Sequence, residues 1–86
     1  MTLELIANVV GMTGTIIVVG TYFLLQLGKI SSDSLAFNSL NLIGAILLLL
    51  SLLVHFNLAS FVIEVFWILA SLVGLWRYLK NRPPVN

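Results

Sequence analysis

Glu64 is the residue on which any chemistry in this chain would turn, because it is the one acid set inside a long apolar run. A charged group at the middle of a membrane span costs roughly 2–3 kcal/mol, so it needs a cavity, a partner or a proton. Stepping by four, three, four and three along a helix gives Ser60, Glu64, Trp67, Ser71 and Gly74, with Tyr78 four further on. The preceding apolar run repeats the pattern with Asn38, Asn41, Gly44 or Ala45, Leu48 and Ser51, and His55 lies two heptads beyond Asn41. On the first run Asn8, Gly11, Thr15 and Tyr22 align, with Gln26 one turn beyond, and Ala7, Gly11 and Thr15 form a small-xxx-small series that permits close helix contact. Glu64, Trp67, Asn38, Asn41, Asn8 and Ser60 are thus the candidate substrate- or proton-binding residues, and Gly11, Gly14, Gly20 and Gln26 the candidate hinge or packing positions. A second reading stands beside this one. Amides and hydroxyls in spans also lock helices together, at about 0.6 kcal/mol per hydrogen bond on average, and Glu64 could pair structurally with His55, Asn8 or a neighbouring chain. Trp67 serves equally as a ligand platform or as a core aromatic.

The elements that must carry these residues follow from composition. With four Lys or Arg, three Asp or Glu and 60% apolar residues in 86, there are too few charges to solvate a globule of this size. Apolar runs at 5–27, 35–54 and 59–79 each approach the ~20 residues that a bilayer core demands. Residues 1–86 therefore read as a single all-α membrane domain, a three-transmembrane-helix bundle embedded in lipid. The first run is expected to persist in the mature protein, since Glu4 is the only charged side chain before it and the run exceeds a signal-peptide h-region. Gly28 suits a left-handed C-terminal cap, and Ser32, Asp33 or Ser34 can accept from the amides that open the second helix. His55–Leu58 forms a shorter turn, so consecutive helices should be antiparallel neighbours, and Pro83–Pro84 closes a tail.

Three antiparallel spans put Lys29, Arg77, Lys80 and Arg82 on one side and leave Glu4 and His55 on the other. The positive-inside rule then places the N-terminus outside and the C-terminus in the cytoplasm, with Trp76 and Tyr78 as interfacial anchors. Without cysteine there is no disulfide framework, thiol nucleophile or Cys-ligated zinc, and four cations make no surface for nucleic acid. No metal or cofactor is expected. An enzyme is not expected either, because the chain offers no Ser and His at comparable depth, no paired carboxylates and no metal-ligand cluster.

A three-helix unit with an outside N-terminus, a short cytoplasmic turn and a polar third helix resembles the SemiSWEET half-transporters of the MtN3/PQ-loop superfamily. The segment Lys29-Ile30-Ser31-Ser32-Asp33-Ser34-Leu35 is similar to the turn before helix two in that family, and the resemblance runs from Ile6 to Lys80. Gly44 and the run to Leu58 match the spacing from that family's helix-two glycine to the start of helix three. On that match Glu64 stands where a substrate-contacting Asn is usual, and Leu48 where a binding Trp is usual. Leu25-Gln26 occupies the place of a Pro-Gln pair and lacks the Pro. These departures remove an aromatic sugar platform and add a carboxylate, which puts a sugar in doubt as the solute. The run Ser34-Leu35-Ala36-Phe37-Asn38-Ser39-Leu40-Asn41-Leu42-Ile43-Gly44-Ala45 is also similar to small uncharacterised bacterial three-helix membrane proteins, a likeness that implies no activity.

Three helices cannot alone enclose a solute pathway, and resemblance to the SemiSWEET proteins implies a parallel homodimer with both polar faces inward. The expectation is a small-solute transporter of the bacterial inner membrane, multi-pass, working by alternating access. Glu64 would bind a cationic or hydroxylated solute or a proton, and two Glu64 carboxyls facing across the dimer axis could share a proton. The alternative from another class is a non-transporting accessory or structural membrane subunit whose polar faces only lock helices together.

Overall fold

The structure, a computed structural model, describes residues 2–81, and Arg82 and Pro83–Pro84 lie outside the described residues. The described residues form three α-helices and no strand: α1 Leu3–Gln26, α2 Leu35–Leu52 and α3 Leu58–Asn81. All three are long and apolar enough to cross a membrane. At 1.5 Å per residue α1 and α3 run about 36 Å and α2 about 27 Å, so each spans a ~30 Å hydrocarbon layer or nearly does.

Local chemistry fixes the ends. Thr2 caps α1, its hydroxyl oxygen accepting from the Leu5 amide at 3.1 Å. At the other end Gly28 takes φ +74°, the Gly28 amide donates to Leu25 C=O at 3.1 Å, and the Lys29 amide donates to Leu24 C=O at 2.9 Å. This paired closure needs a left-handed residue, which is why glycine stands there. Of the three candidate caps for α2, Ser34 is the one that closes the helix start, since its Oγ accepts from the Phe37 amide at 3.0 Å while its hydroxyl donates to Ser31 C=O at 2.7 Å. Asn57 opens α3, its Oδ1 accepting from the Ser60 amide at 2.9 Å.

Helix α2 packs against both neighbours, whereas no Cα of α1 comes within 8 Å of one in α3. The most deeply buried residues are small or polar. The buried positions are Ala7, Gly11, Gly14 and Thr21 on α1, Asn38, Asn41, Gly44 and Ala45 on α2, and Glu64 and Ser71 on α3. Ala7 and Ala45 are the only buried hydrophobic side chains among the described residues, and large apolar ones such as Ile16, Phe23, Ile63 and Phe66 are exposed along all three helices. A soluble protein would aggregate through such a surface; hydrocarbon around the helices is the environment that suits it.

The closest crossing is between α1 and α2. A Cβ at Gly14 would lie 2.7 Å from Gly44 O and 3.0 Å from Leu47 Cβ, and one at Gly44 would lie 2.5 Å from Val18 Cγ2. The contact stripe on α1 therefore turns from Gly11 to Gly14, not to Thr15, which is exposed. Only a residue without a side chain admits the α2 backbone here. Thr15 instead returns its hydroxyl to Gly11 C=O at 2.9 Å, and Thr21 to Ile17 C=O. Gly20 is exposed, with nothing within 4 Å of where its Cβ would be, so it takes no part in packing within the chain.

Candidate functional site

Because α1 and α3 stand apart on either side of α2, a groove runs between them with α2 as its floor. Two recesses occupy it, one at each end of the bundle. The recess nearer the α2–α3 turn measures about 330 Å³, and Asn8, Ser51, His55, Ser60 and Glu64 supply its polar groups beside Leu48, Leu52 and Ile63. The recess nearer the α1–α2 turn measures about 300 Å³ and is aromatic: Tyr22 and Leu25 come from α1, Phe37, Asn38 and Asn41 from α2, and Trp67, Ala70 and Ser71 from α3.

Glu64 is 9% exposed, and its Oε2 is screened from solvent with no hydrogen-bond partner among the described residues. His55 and Asn8 line the same recess, yet neither meets that oxygen. A buried acceptor without a partner costs more free energy than a typical hydrogen bond contributes, so an oxygen in this state is matched by a proton, a ligand or a second chain. Helix periodicity placed it there. Ser60, Glu64, Ser71, Gly74 and Tyr78 are the shielded positions of one face of α3, whereas Phe61, Val62, Val65, Phe66, Leu69, Leu72 and Val73 face outward.

The six candidate binding residues divide between the two recesses. Glu64, Asn8 and Ser60 meet at the His55 end, and Trp67, Asn38 and Asn41 meet at the other. Glu64 and Trp67 stand three residues apart, about 4.5 Å along the α3 axis, so they flank the boundary between the recesses. Near mid-length the small residues Gly14, Gly44 and Ala45 bring α1 onto α2.

Asn38 is tied into the scaffold. Its amide nitrogen donates to Ser32 C=O at 3.0 Å and Ser34 C=O at 2.9 Å, and its Oδ1 fills the space a side chain at Gly74 would need. Asn41 is 8% exposed in the aromatic recess. Gln26 donates to the Tyr22 hydroxyl at 3.0 Å, one turn back on the exposed end of α1, and Gly11 lies against the Ser51 hydroxyl. Thr21, 3% exposed, is a buried polar position that sequence reasoning did not single out. It lies seven residues beyond Gly14, two helical turns along the same stripe, and Gly14 in place of Thr15 was the signal that would have found it.

A third recess of about 220 Å³ lies at the Lys29 end, where Ser32 and Asp33 of the turn face Arg77, Tyr78 and Asn81 of α3. Lys80 Nζ sits 4.7 Å from the centre of the Trp76 ring, so the cations and the aromatic belt of α3 share one end.

A family model matches residues 7–82, most of the chain. No curated protein and no solved structure matches it.

Proposed function

The chain belongs to the small uncharacterised family whose model covers residues 7–82, no SemiSWEET or MtN3 family model matches it, and from that premise and the shape of its groove we propose a small-solute membrane carrier built as a parallel homodimer. The observation that carries the reading is the orphaned Glu64 oxygen, buried beside an open recess in a chain too small to close a pathway by itself. A second copy laid groove to groove would convert the two half-open recesses into an enclosed midplane cavity, the usual place for a transported solute. The groove holds a recess at each end, which suits a site exposed to one side of the membrane at a time. The likeness in layout to SemiSWEET half-transporters supports the same arrangement.

In this reading Glu64 binds the solute or a proton, Trp67, Asn41, Asn8 and Ser60 line its path, and Asn38 braces the start of α2. Lys29, Arg77 and Lys80 gather at one end, which by the positive-inside rule is the cytoplasmic side of a bacterial inner membrane, with the N-terminus outside. No chemical conversion is assigned to the protein. The test is a solute panel of sugars, amino acids, amines and quaternary ammonium ions applied to proteoliposomes on a solid-supported membrane. Glu64→Gln should abolish the evoked current or the accompanying pH change inside the vesicles; a panel that evokes neither with the native chain refutes the carrier. The dimer is scored separately with single cysteines, which this cysteine-free chain permits. Ser60→Cys in the groove should cross-link, and Ile46→Cys on the exposed side of α2 should not.

A further inference from the structure

The groove combines one carboxylate, several aromatic side chains and a set of neutral polar groups, and that combination selects among solutes. Glu64 is the only charged residue lining either membrane-level recess. Glu4, Lys29, Asp33, Arg77 and Lys80 lie at helix ends or in the first turn. Tyr22, Phe37 and Trp67 line the aromatic recess, and Trp67 is 39% exposed.

The other polar groups lining the two recesses are neutral: Asn8, Asn41, Ser51, Ser60 and Ser71 make no side-chain hydrogen bond among the described residues, while polar groups nearby are engaged. Asn38 holds two turn carbonyls, Gln26 holds Tyr22, and Thr13, Thr15 and Thr21 donate to carbonyls of their own helix. A neutral solute would leave the Glu64 charge without a counter-charge, and a small hard cation would have to exchange its water shell for neutral amides and hydroxyls around a single carboxylate. A weakly hydrated cation with an apolar body loses little on leaving water. Straddling the boundary between the recesses, it finds its counter-charge at Glu64 and the ring of Trp67 one turn along α3, and cation–π attraction strengthens as water is excluded.

We propose that the ligand of this groove is a lipophilic organic cation, its charge set against Glu64 and its apolar flank on Trp67. The transport of that ion rests on the carrier reading above; its binding does not. The probe is tritiated tetraphenylphosphonium added to the full-length chain in phosphatidylcholine nanodiscs, with empty nanodiscs correcting for partition and tetraphenylborate as an anion of the same shape. A Trp76→Phe background leaves Trp67 as the only tryptophan, so its fluorescence reports occupancy.

Saturable binding is expected, with quenching of Trp67, a loss of about tenfold or more in affinity in Glu64→Gln, and about threefold or more in Trp67→Ala. Glu64→Asp, which keeps the charge, and Trp67→Phe, which keeps a ring, should each retain most of the binding and so separate contact from misfolding. Absence of saturable binding, equal binding by Glu64→Gln, or equal uptake of tetraphenylborate overturns the inference. Binding that depends on Glu64 without flux in proteoliposomes supports the site and refutes the carrier. Currents evoked by sugars alone, with no tetraphenylphosphonium binding, do the reverse.

Discussion

Adding one methyl group at Gly14 tests the architecture most directly. The new Cβ would sit 2.7 Å from Gly44 O and 3.1 Å from Leu48 N, both backbone atoms of α2. Ordinary contact begins near 3.4 Å, so the helices would have to separate by about 0.7 Å at their crossing. Backbone cannot rotate away as a side-chain tip can, and overpacking of this kind costs about 1–3 kcal/mol. Against it stands the helix propensity that alanine gains over glycine, about 0.8–1 kcal/mol. Gly20→Ala shares that gain and meets nothing within 4 Å, so the difference between the two variants isolates the collision. In detergent micelles titrated with dodecyl sulfate and followed by tryptophan fluorescence, Gly14→Ala should be less stable than Gly20→Ala by about 1–3 kcal/mol, roughly five- to 150-fold in the folding equilibrium. Adding Gly44→Ala to Gly14→Ala should cost less than the sum of the two, since both drive the same helices apart. Equal stability of Gly14→Ala and Gly20→Ala, within about 0.5 kcal/mol, would refute the close crossing.

Two further substitutions probe the frame around the groove. Gly74→Ala drives a methyl into the Asn38 amide and should cost about 1–3 kcal/mol in the same unfolding assay, with most of that penalty gone in an Asn38→Ala background; additive losses would show that the two side chains do not meet. Ser34→Ala removes the acceptor for the Phe37 amide and should lower stability by about 1 kcal/mol, with faster hydrogen exchange at Phe37; unchanged exchange there would assign the cap elsewhere.

How far the sequence carried depends on the kind of information each feature needs. The three helices, the polar face of α3 and the left-handed Gly28 follow from period and backbone sterics within a few residues of chain, and all three are present in the structure. Asn38, Asn41, Gly44 and Ala45 were likewise legible as the inner stripe of an otherwise Leu- and Ile-rich α2. The partition of Glu64 and Trp67 into different recesses was not. It depends on how far α1 and α3 slide along α2, and depth matching between antiparallel helices leaves no mark in the period of any one of them. Asn38 shows the same limit from another side, since an amide at an inward position looks identical whether it awaits a solute or holds the carbonyls of Ser32 and Ser34. The choice of Gly14 over Thr15 on α1 turns on a rotation of less than a third of a turn, decided only when the α2 backbone arrives.

The scarcity of large buried side chains reverses the usual pattern of mutational vulnerability. In a water-soluble domain the damaging changes are truncations, because removing a packed leucine leaves a hole that nothing fills. Here the leucines, isoleucines and phenylalanines mostly abut lipid, so shortening one gives its space to an acyl chain, while the residues that hold the helices together have almost nothing left to lose. Damage comes from enlargement, at Ala7, Gly11, Gly14, Gly44, Ala45 and Gly74. Inherited variation in this protein should therefore run freely over its bulky apolar surface and halt at its smallest residues.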